Sequence, residues 1–441
     1  YLGTDFYSSM SYYCVGDIFL PILLLFRNHI ELGLLIESIL CFYISVFCMY
    51  IFLTYCHENS FINRVFISII YGIGGSSFVF LGYYLYHRFY AFLPLYFLGI
   101  HQYFDKKKLI LLIVSCSILF MQNFYLMFPT LIFSFVLCVA FEIKNKKAVK
   151  VVLNDFFMVL FGIACGFLIS SIVCVPGILA IFSNSRVGVI PDVKMFWDIH
   201  VYLGLLQNLI VFNPKGTDIS LFSEANNYHA NFYNLMIGII PASMTIKYLI
   251  SKENRVDLFA FILFCLILFI KPLNSIMHGF SVPSLRWLFL MNFYCLALSY
   301  IEISSVQSAY KEGMLYLVFV ILVNCIALLC GLYSLQENMV SALVILLSII
   351  LSGIILKLYE EKRKISICLC ISYIIVSHFT YIYYQTRGIS VTQYPISREE
   401  VSWWNKEDED SIFRYHIDVR NSIPYSPLNR NLSIPYGMLT T

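Results

Sequence analysis

The chain has 441 residues, 60% of them hydrophobic, 17% aromatic and only 12% charged, with a net charge of +3. Soluble globular chains carry roughly a quarter charged residues, so this composition excludes a water-soluble enzyme, and nothing in it suggests a nucleic-acid partner. Repeated apolar runs of about 20 residues read as transmembrane helices rather than one oversized core, and the fold class expected is an all-α polytopic membrane protein.

In chain order, the sequence opens at Tyr1 with no Met and no charged leader before the first apolar run, which reads as a fragment lacking material at both ends. Residues 9–26 are apolar but interrupted by Asp17 and Pro21, the pattern of interfacial helices rather than a clean span. Spans are expected at 32–55, 65–84, 89–104, 109–121, 123–141 and 155–178, then at 232–250, 257–271, 287–303, 314–333, 339–357 and 365–384. That makes about twelve, several of them short enough to be tilted or re-entrant. Glu37 falls within the first span, where a buried hydrogen bond to a neighbouring helix is expected. "YGIGGSSF" (71–78) glances at a phosphate-binding loop, but no strand precedes it, and close helix packing through small residues is the better reading. "YHRFY" (86–90) places His87 and Arg88 in a very short outer turn among tyrosines. "MQNFYLMF" (121–128) marks a tight outer turn between two short helices, with Asn123 and Tyr125 within reach of a substrate.

The loop 179–231 contains Arg186 in "SNSRVG" and a stretch that could lie as an amphipathic helix on the membrane surface. "IMHGFSVPSLRW" (276–287) breaks the apolar pattern with Gly279 and Pro283 while carrying His278 and Arg286. Such a segment cannot be one regular helix. Irregular backbone at membrane depth is tolerated where it is buried in protein or lines a wet cavity. Arg286 either snorkels to the interface beside Trp287 or points into such a cavity. After Gln385 the tail turns polar, and "FRYHIDV" (413–419) alternates like a half-buried strand. A lone strand is unstable, so residues 1–384 are read as the transmembrane domain and 385–441 as the start of a β-containing extracytoplasmic domain.

The basic connectors "DKKK" (105–108), "KNKKAVK" (144–150), "KYLISKENR" (247–255) and "KLYEEKRK" (357–364) should face the cytoplasm. Threading the spans between them closes without a leftover helix. It leaves Asp5, Asp17, His87, Arg88, Arg186, Asp192, Asp198, His229, His278 and Arg286 on the outer side. Polar groups in or beside a bilayer are expensive and are functional candidates by default. This set suits an anionic lipid head group, with cations for a phosphate and carboxylates for a reacting hydroxyl. Interfacial anchoring is the plainer explanation for His87 and Arg88, while anchoring explains Arg286 and loop solvation explains Arg186 about as well as phosphate binding does. The cysteines lie mostly inside apolar helices as small hydrophobes, and no metal site is expected. No Ser-His-Asp order, HExxH or Walker loop appears.

Several stretches carry a family resemblance. "LGTDFYSSMSYYCVGDIFLPILLLF", the helix, basic loop and hairpin from "FLPLYFLGIHQYFDKKK" to "MQNFYLMF", "SNSRVG" and "HGFSVPSLRWLFLMNF" resemble, in order, segments of the bacterial YfhO family of GT-C type glycosyltransferases. The resemblance covers about half of the chain. It implies a GT-C-like bundle and a donor sugar carried on polyprenyl phosphate at the outer face. It also implies a wall-associated acceptor such as lipoteichoic acid or another wall polymer or glycolipid, with any need for a divalent metal left open. An outer carboxylate would take the acceptor's proton. Asp5 and Asp17 lie nearest that position, since the family's preceding helix and acidic outer loop do not occur in this sequence. Arg286, Arg186 and His278, with His87 and Arg88 in reserve, would stabilise the departing lipid phosphate. Two other functions fit the same polar outer face: a transporter or flippase of a lipid-linked or polymeric substrate, and a non-catalytic accessory membrane protein.

Overall fold

The computed structural model describes residues 16–77, 84–146, 148–182, 195–197, 201–202, 205, 235–279, 283–305, 309–329 and 339–386. They fold as helices α1 (Leu20–Leu25), α2 (Ile30–Cys56), α3 (Phe61–Ile73), α4 (Tyr84–Lys106), α5 (Ile110–Lys144) and α6 (Val149–Phe182). There follow α7 (Ile239–Ile250), α8 (Arg255–Phe269), α9 (Lys271–Ile276), α10 (Leu288–Ser305), α11 (Tyr310–Leu329), α12 (Met339–Glu361) and α13 (Arg363–Thr386). Among the described residues there is no strand, and four stretches are long and apolar enough to cross a membrane: Leu32–Cys56, Ile110–Lys144, Val149–Leu179 and Leu343–Glu361. The expected strand at 413–419, with the rest of the tail domain, lies outside the described residues.

The 35 residues of α5 are two helical segments joined at Asn123, whose backbone is not helical (φ −165°, ψ 94°). A straight helix would hold Leu112 and Phe141 about 43 Å apart at 1.5 Å per residue. Both instead touch the same part of α4: a Cβ on Gly99 would sit 2.6 Å from Leu112, while His101 and Phe104 contact the Phe141 ring at 5.8 and 5.0 Å. The run therefore folds back on itself at Asn123. The Asn123 side chain caps the returning half, its Oδ1 accepting from the Leu126 N–H at 3.0 Å. The turn expected at 121–128 is thus the tip of a helical hairpin.

Paired contacts fix the directions of the other helices. Helices α2 and α4 run parallel, with Glu37 meeting Arg88 near one end and Phe52 meeting His101 further along. Helices α3 and α13 are also parallel: Arg363 donates to Asn63 Oδ1 at 2.8 Å, and His378 Nε2 lies 2.6 Å from the Ile73 carbonyl. Helix α6 lies along the first half of α5, where Gly166 lets the backbones approach so closely that a Cβ there would meet Cys116 at 2.8 Å.

The basic connectors share one end. Lys107 pairs with Asp155 at 2.6 Å and Lys144 with Asp257 at 2.9 Å. Arg363 donates to the Ile303 carbonyl as well as to Asn63, and Asn59, which holds Asn63, donates to the Tyr300 carbonyl.

Two expectations are corrected at the opposite end. The span foreseen over 65–84 is interrupted by a bend at Gly74, residues 75–77 being helical again and 78–83 lying outside the described residues, and the outer turn foreseen at 85–88 is helical, α4 running from Tyr84 through His87 and Arg88. The early stop of α3 follows from how its last polar groups are satisfied. The Gly75 N–H, which would close the next helical turn onto Tyr71, donates instead to the Met236 carbonyl at 2.9 Å. The freed Tyr71 carbonyl accepts from the Tyr90 hydroxyl at 3.0 Å, while the Tyr71 hydroxyl donates to the Tyr90 carbonyl at 2.7 Å, the two rings stacked at 4.2 Å. Orphan carbonyls at a buried helix end require such partners. Small residues do serve packing here, since a Cβ on Gly72 would strike Val46. The chain enters α7 through Gly238 at φ +80°, a conformation open to glycine.

Candidate functional site

Among the described residues at the end away from the basic connectors, one group of polar side chains lies around the tip of the α5 hairpin and the segment joining α9 to α10. Past α9, Gly279 takes φ +63° with open space where a Cβ would project, turning the chain out of the helix. Among the residues described, the chain then resumes at Pro283 and Ser284, and Asn274 in α9 accepts the Ser284 N–H at 2.8 Å. The Ser284 carbonyl lies 2.8 Å from His278 Nε2, and Ser284 Oγ accepts the Arg286 N–H at 3.3 Å. This loop is built by its own side chains, so His278 and Arg286 are held in fixed relation.

A carbonyl can only accept, so His278 donates to it from Nε2, which leaves Nδ1 for a second partner. The Tyr125 hydroxyl at the hairpin tip lies 2.7 Å from that Nδ1, with the two rings stacked at 5.7 Å. The same hydroxyl interacts with the Arg286 side chain, and the guanidinium lies 6.0 Å from the centre of the Tyr86 ring. Tyr125 thus stands between imidazole and guanidinium. His278 and Tyr86 are buried, whereas Arg286 and Tyr125 are half-buried. Trp287, next to Arg286, is fully enclosed by protein. Arg286 is therefore engaged by side chains of two other elements.

Three buried N–H groups around this cluster have no hydrogen-bond partner: Asn123 Nδ2, Asn274 Nδ2 and Trp287 Nε1. Burying such a donor unpaired costs about 1–3 kcal/mol. At the same tip Gln122 Oε1 is an unpaired acceptor, its Nε2 donating to the Gly16 carbonyl at 3.3 Å.

A second polar group is an ion cluster. Arg88 reaches Asp17 Oδ2 at 2.9 Å through Nη1 and Glu37 Oε2 at 2.9 Å through Nη2, while its Nε meets Glu37 Oε1. The three side chains are 2%, 8% and 1% exposed for Arg88, Asp17 and Glu37. Asp17 also accepts the Phe19 N–H at 2.9 Å, which sets the entry to α1. Glu37 does find a buried partner on a neighbouring helix, as its place within a span suggested. Arg88 is engaged by two carboxylates inside the protein rather than standing in an outer turn. His87, also buried, lies 3.0 Å from Ser77 Oγ and edge-on to Phe42. The first turns of α4 thus send Tyr86 to Arg286, His87 to Ser77 and Arg88 to the carboxylates.

Of the residues singled out from sequence, His278 and Arg286 come together through Tyr125. Asp17 and Arg88 come together in the ion cluster, joined to the hairpin tip by the Gly16–Gln122 bond. Asp5, Arg186, Asp192, Asp198 and His229 lie outside the described residues. Tyr86, Asn274 and Ser284 escaped the sequence reading, because their roles depend on partners that only the folded chain brings near. Among the described residues no group of three or more His, Cys, Asp or Glu side chains is placed to hold a metal ion.

In comparison with known proteins, a family described as bacterial membrane protein YfhO matches residues 1–412. No curated protein and no solved structure matches the chain.

Proposed function

The chain belongs to the YfhO family of bacterial membrane proteins, and from that premise we propose that it is a membrane glycosyltransferase taking its sugar from a polyprenyl-phosphate donor. The observation that carries this reading is the Arg286–Tyr125–His278 cluster at the end away from the lysine connectors. If those connectors face the cytoplasm, in a GT-C-like bundle of about twelve spans, the cluster faces the extracytoplasmic side, where a lipid-linked donor presents its phosphate. Arg286 offers a guanidinium for phosphate oxygens, stabilising the charge that grows as the glycosyl–phosphate bond breaks. His278, with Nε2 bound to Ser284, fixes the Tyr125 hydroxyl and through it the guanidinium.

The acceptor hydroxyl attacks the anomeric carbon and gives its proton to an outer carboxylate, for which Asp5 and Asp17 are this chain's candidates. Arg186 is a further cation for the donor. The acceptor proposed is a wall polymer such as lipoteichoic acid, or a glycolipid, and the tail beyond 385 begins an extracytoplasmic domain that would present it.

The test is sugar transfer by the complete protein in vesicles supplied with polyprenyl-phosphate sugar. Arg286→Ala and His278→Ala are each expected to lower the transfer rate by about a hundredfold or more, as for loss of a charge-stabilising donor, with the protein still in the membrane. Full transfer by both variants would remove this site from the reaction. Sugar-independent movement of the lipid across the bilayer, with no product formed, would identify a flippase instead.

A further inference from the structure

The open N–H groups of Asn123, Asn274 and Trp287 belong to three different elements, yet all three are tied to the same cluster. Asn123 caps the hairpin tip that carries Tyr125. Asn274 holds the backbone of Ser284, whose carbonyl binds His278. Trp287 follows Arg286 directly. Each side chain is nearly or completely buried, at 1%, 0% and 0% exposure. In the two asparagines the oxygen is already used to hold the backbone, and only the amine is left open. Buried polar groups in a folded protein are normally paired, and here three open donors sit on residues tied to the cluster that holds Arg286.

We propose that Asn123, Asn274 and Trp287 complete, with Arg286, a binding site for a phosphate monoester or diester, three neutral donors and one cation converging on the phosphate oxygens. The inference rests on the reading of Arg286 as a phosphate ligand and extends it to three residues with no charge. Phosphate oxygens are acceptors only and take several donors at once, which the open groups supply. Neutral donors suit a site inside a membrane protein, because they hold an anion without adding buried cations that need counter-charges when the site is empty. Gln122 Oε1, the open acceptor at the tip, suits a ligand hydroxyl instead.

The experiment is equilibrium binding to the complete protein in lipid nanodiscs, read by native mass spectrometry, with no sugar transfer required. The probes are a short prenyl monophosphate, the matching prenol and inorganic phosphate as competitor. Trp287→Phe removes one N–H and no charge. Asn123→Asp and Asn274→Asp keep the oxygen that holds the backbone and replace the open amide nitrogen by an acidic oxygen that repels phosphate. Trp287→Phe is expected to weaken prenyl phosphate about tenfold, the loss of one good hydrogen bond, the two Asp variants are expected to weaken it further, and the prenol should bind at least as weakly as Trp287→Phe binds prenyl phosphate. Displacement by inorganic phosphate would show that the head group alone is recognised, and failure to displace would assign the site to lipid-borne phosphate. Wild-type affinity in Trp287→Phe, or equal binding of prenol and prenyl phosphate, would overturn the proposal. Should an Asp variant fail to fold, Trp287→Phe still decides. Intact phosphate binding without any sugar transfer would sink the enzymatic reading and leave this site standing.

Discussion

Three consecutive residues at the start of α4 show how much a single position can hide. Tyr86, His87 and Arg88 read in sequence as interfacial anchors, yet they point to three separate polar groups inside the protein. Arg88 illustrates the energetics. Removing it leaves Asp17 and Glu37 buried without a counter-charge, so Arg88→Ala is expected to destabilise the protein by about 3–5 kcal/mol, seen as loss of folded protein in detergent melting curves. Neutralising all three (Arg88→Met with Asp17→Asn and Glu37→Gln) should recover most of that loss. If Arg88→Ala melts like the parent, the ion cluster is not the clip it resembles. Charge parity within the apolar runs was the signal available in sequence, since Glu37 and Asp17 each require a cation and few exist. Tyr125 is a different case. It stood out as a residue in a turn, but its partner His278 lies 153 positions away, and no local pattern connects them. Tyr125→Phe keeps the ring stack and deletes only the hydroxyl, so phosphate affinity and transfer should fall about tenfold while melting stays close to the parent. Unchanged affinity would mean that Arg286 needs no such support.

At the scale of the element, local rules were legible where a polar residue interrupts an apolar run. The hairpin tip at Asn123 announced itself because Gln122 and Asn123 cannot sit in lipid and Asn is a good helix cap. Asn123→Ala should weaken the returning half of α5 by about 0.5–2 kcal/mol, measured as faster hydrogen exchange confined to residues 124–130. Uniform exchange along α5 would show that the cap does not matter. The early end of α3 was not legible, because it depends on groups the sequence does not place nearby: Met236, Tyr90 and His378 take the backbone bonds that a continuing helix would have made. The hydrophobic pattern continues past the break, and hydropathy alone extends the helix through it.

For the whole molecule, the distribution of lysines told more than any motif. The connectors placed together by charge are together in the fold, joined by the Lys107–Asp155 and Lys144–Asp257 pairs, and the family match, over residues 1–412, spans all of the resembling segments. Orientation in the membrane can be checked directly. A Cys introduced at Ser275, beside the His278 loop, should react with an impermeant maleimide in intact cells, whereas one at Lys150 should react only after lysis. The reverse result would turn the proposed site toward the cytosol, where a donor presented on the outer leaflet is out of reach. What composition could not supply is the chemistry of the site, because a ligand leaves no mark on hydropathy.

The mutual clasp of Tyr71 and Tyr90 bears on the choice between moving and fixed machinery. An interrupted membrane helix often serves as a hinge, and a carrier that alternates between two faces needs one. Here the interruption is welded: each tyrosine secures the other's main chain, their rings lie flat together, and both are sealed from solvent. Straightening α3 would have to tear that clasp open and return the Gly75 amide to Tyr71. The bend at Gly74, with helix on either side of it, is therefore a fixed corner rather than a pivot, better matched to an anvil than to a swinging door.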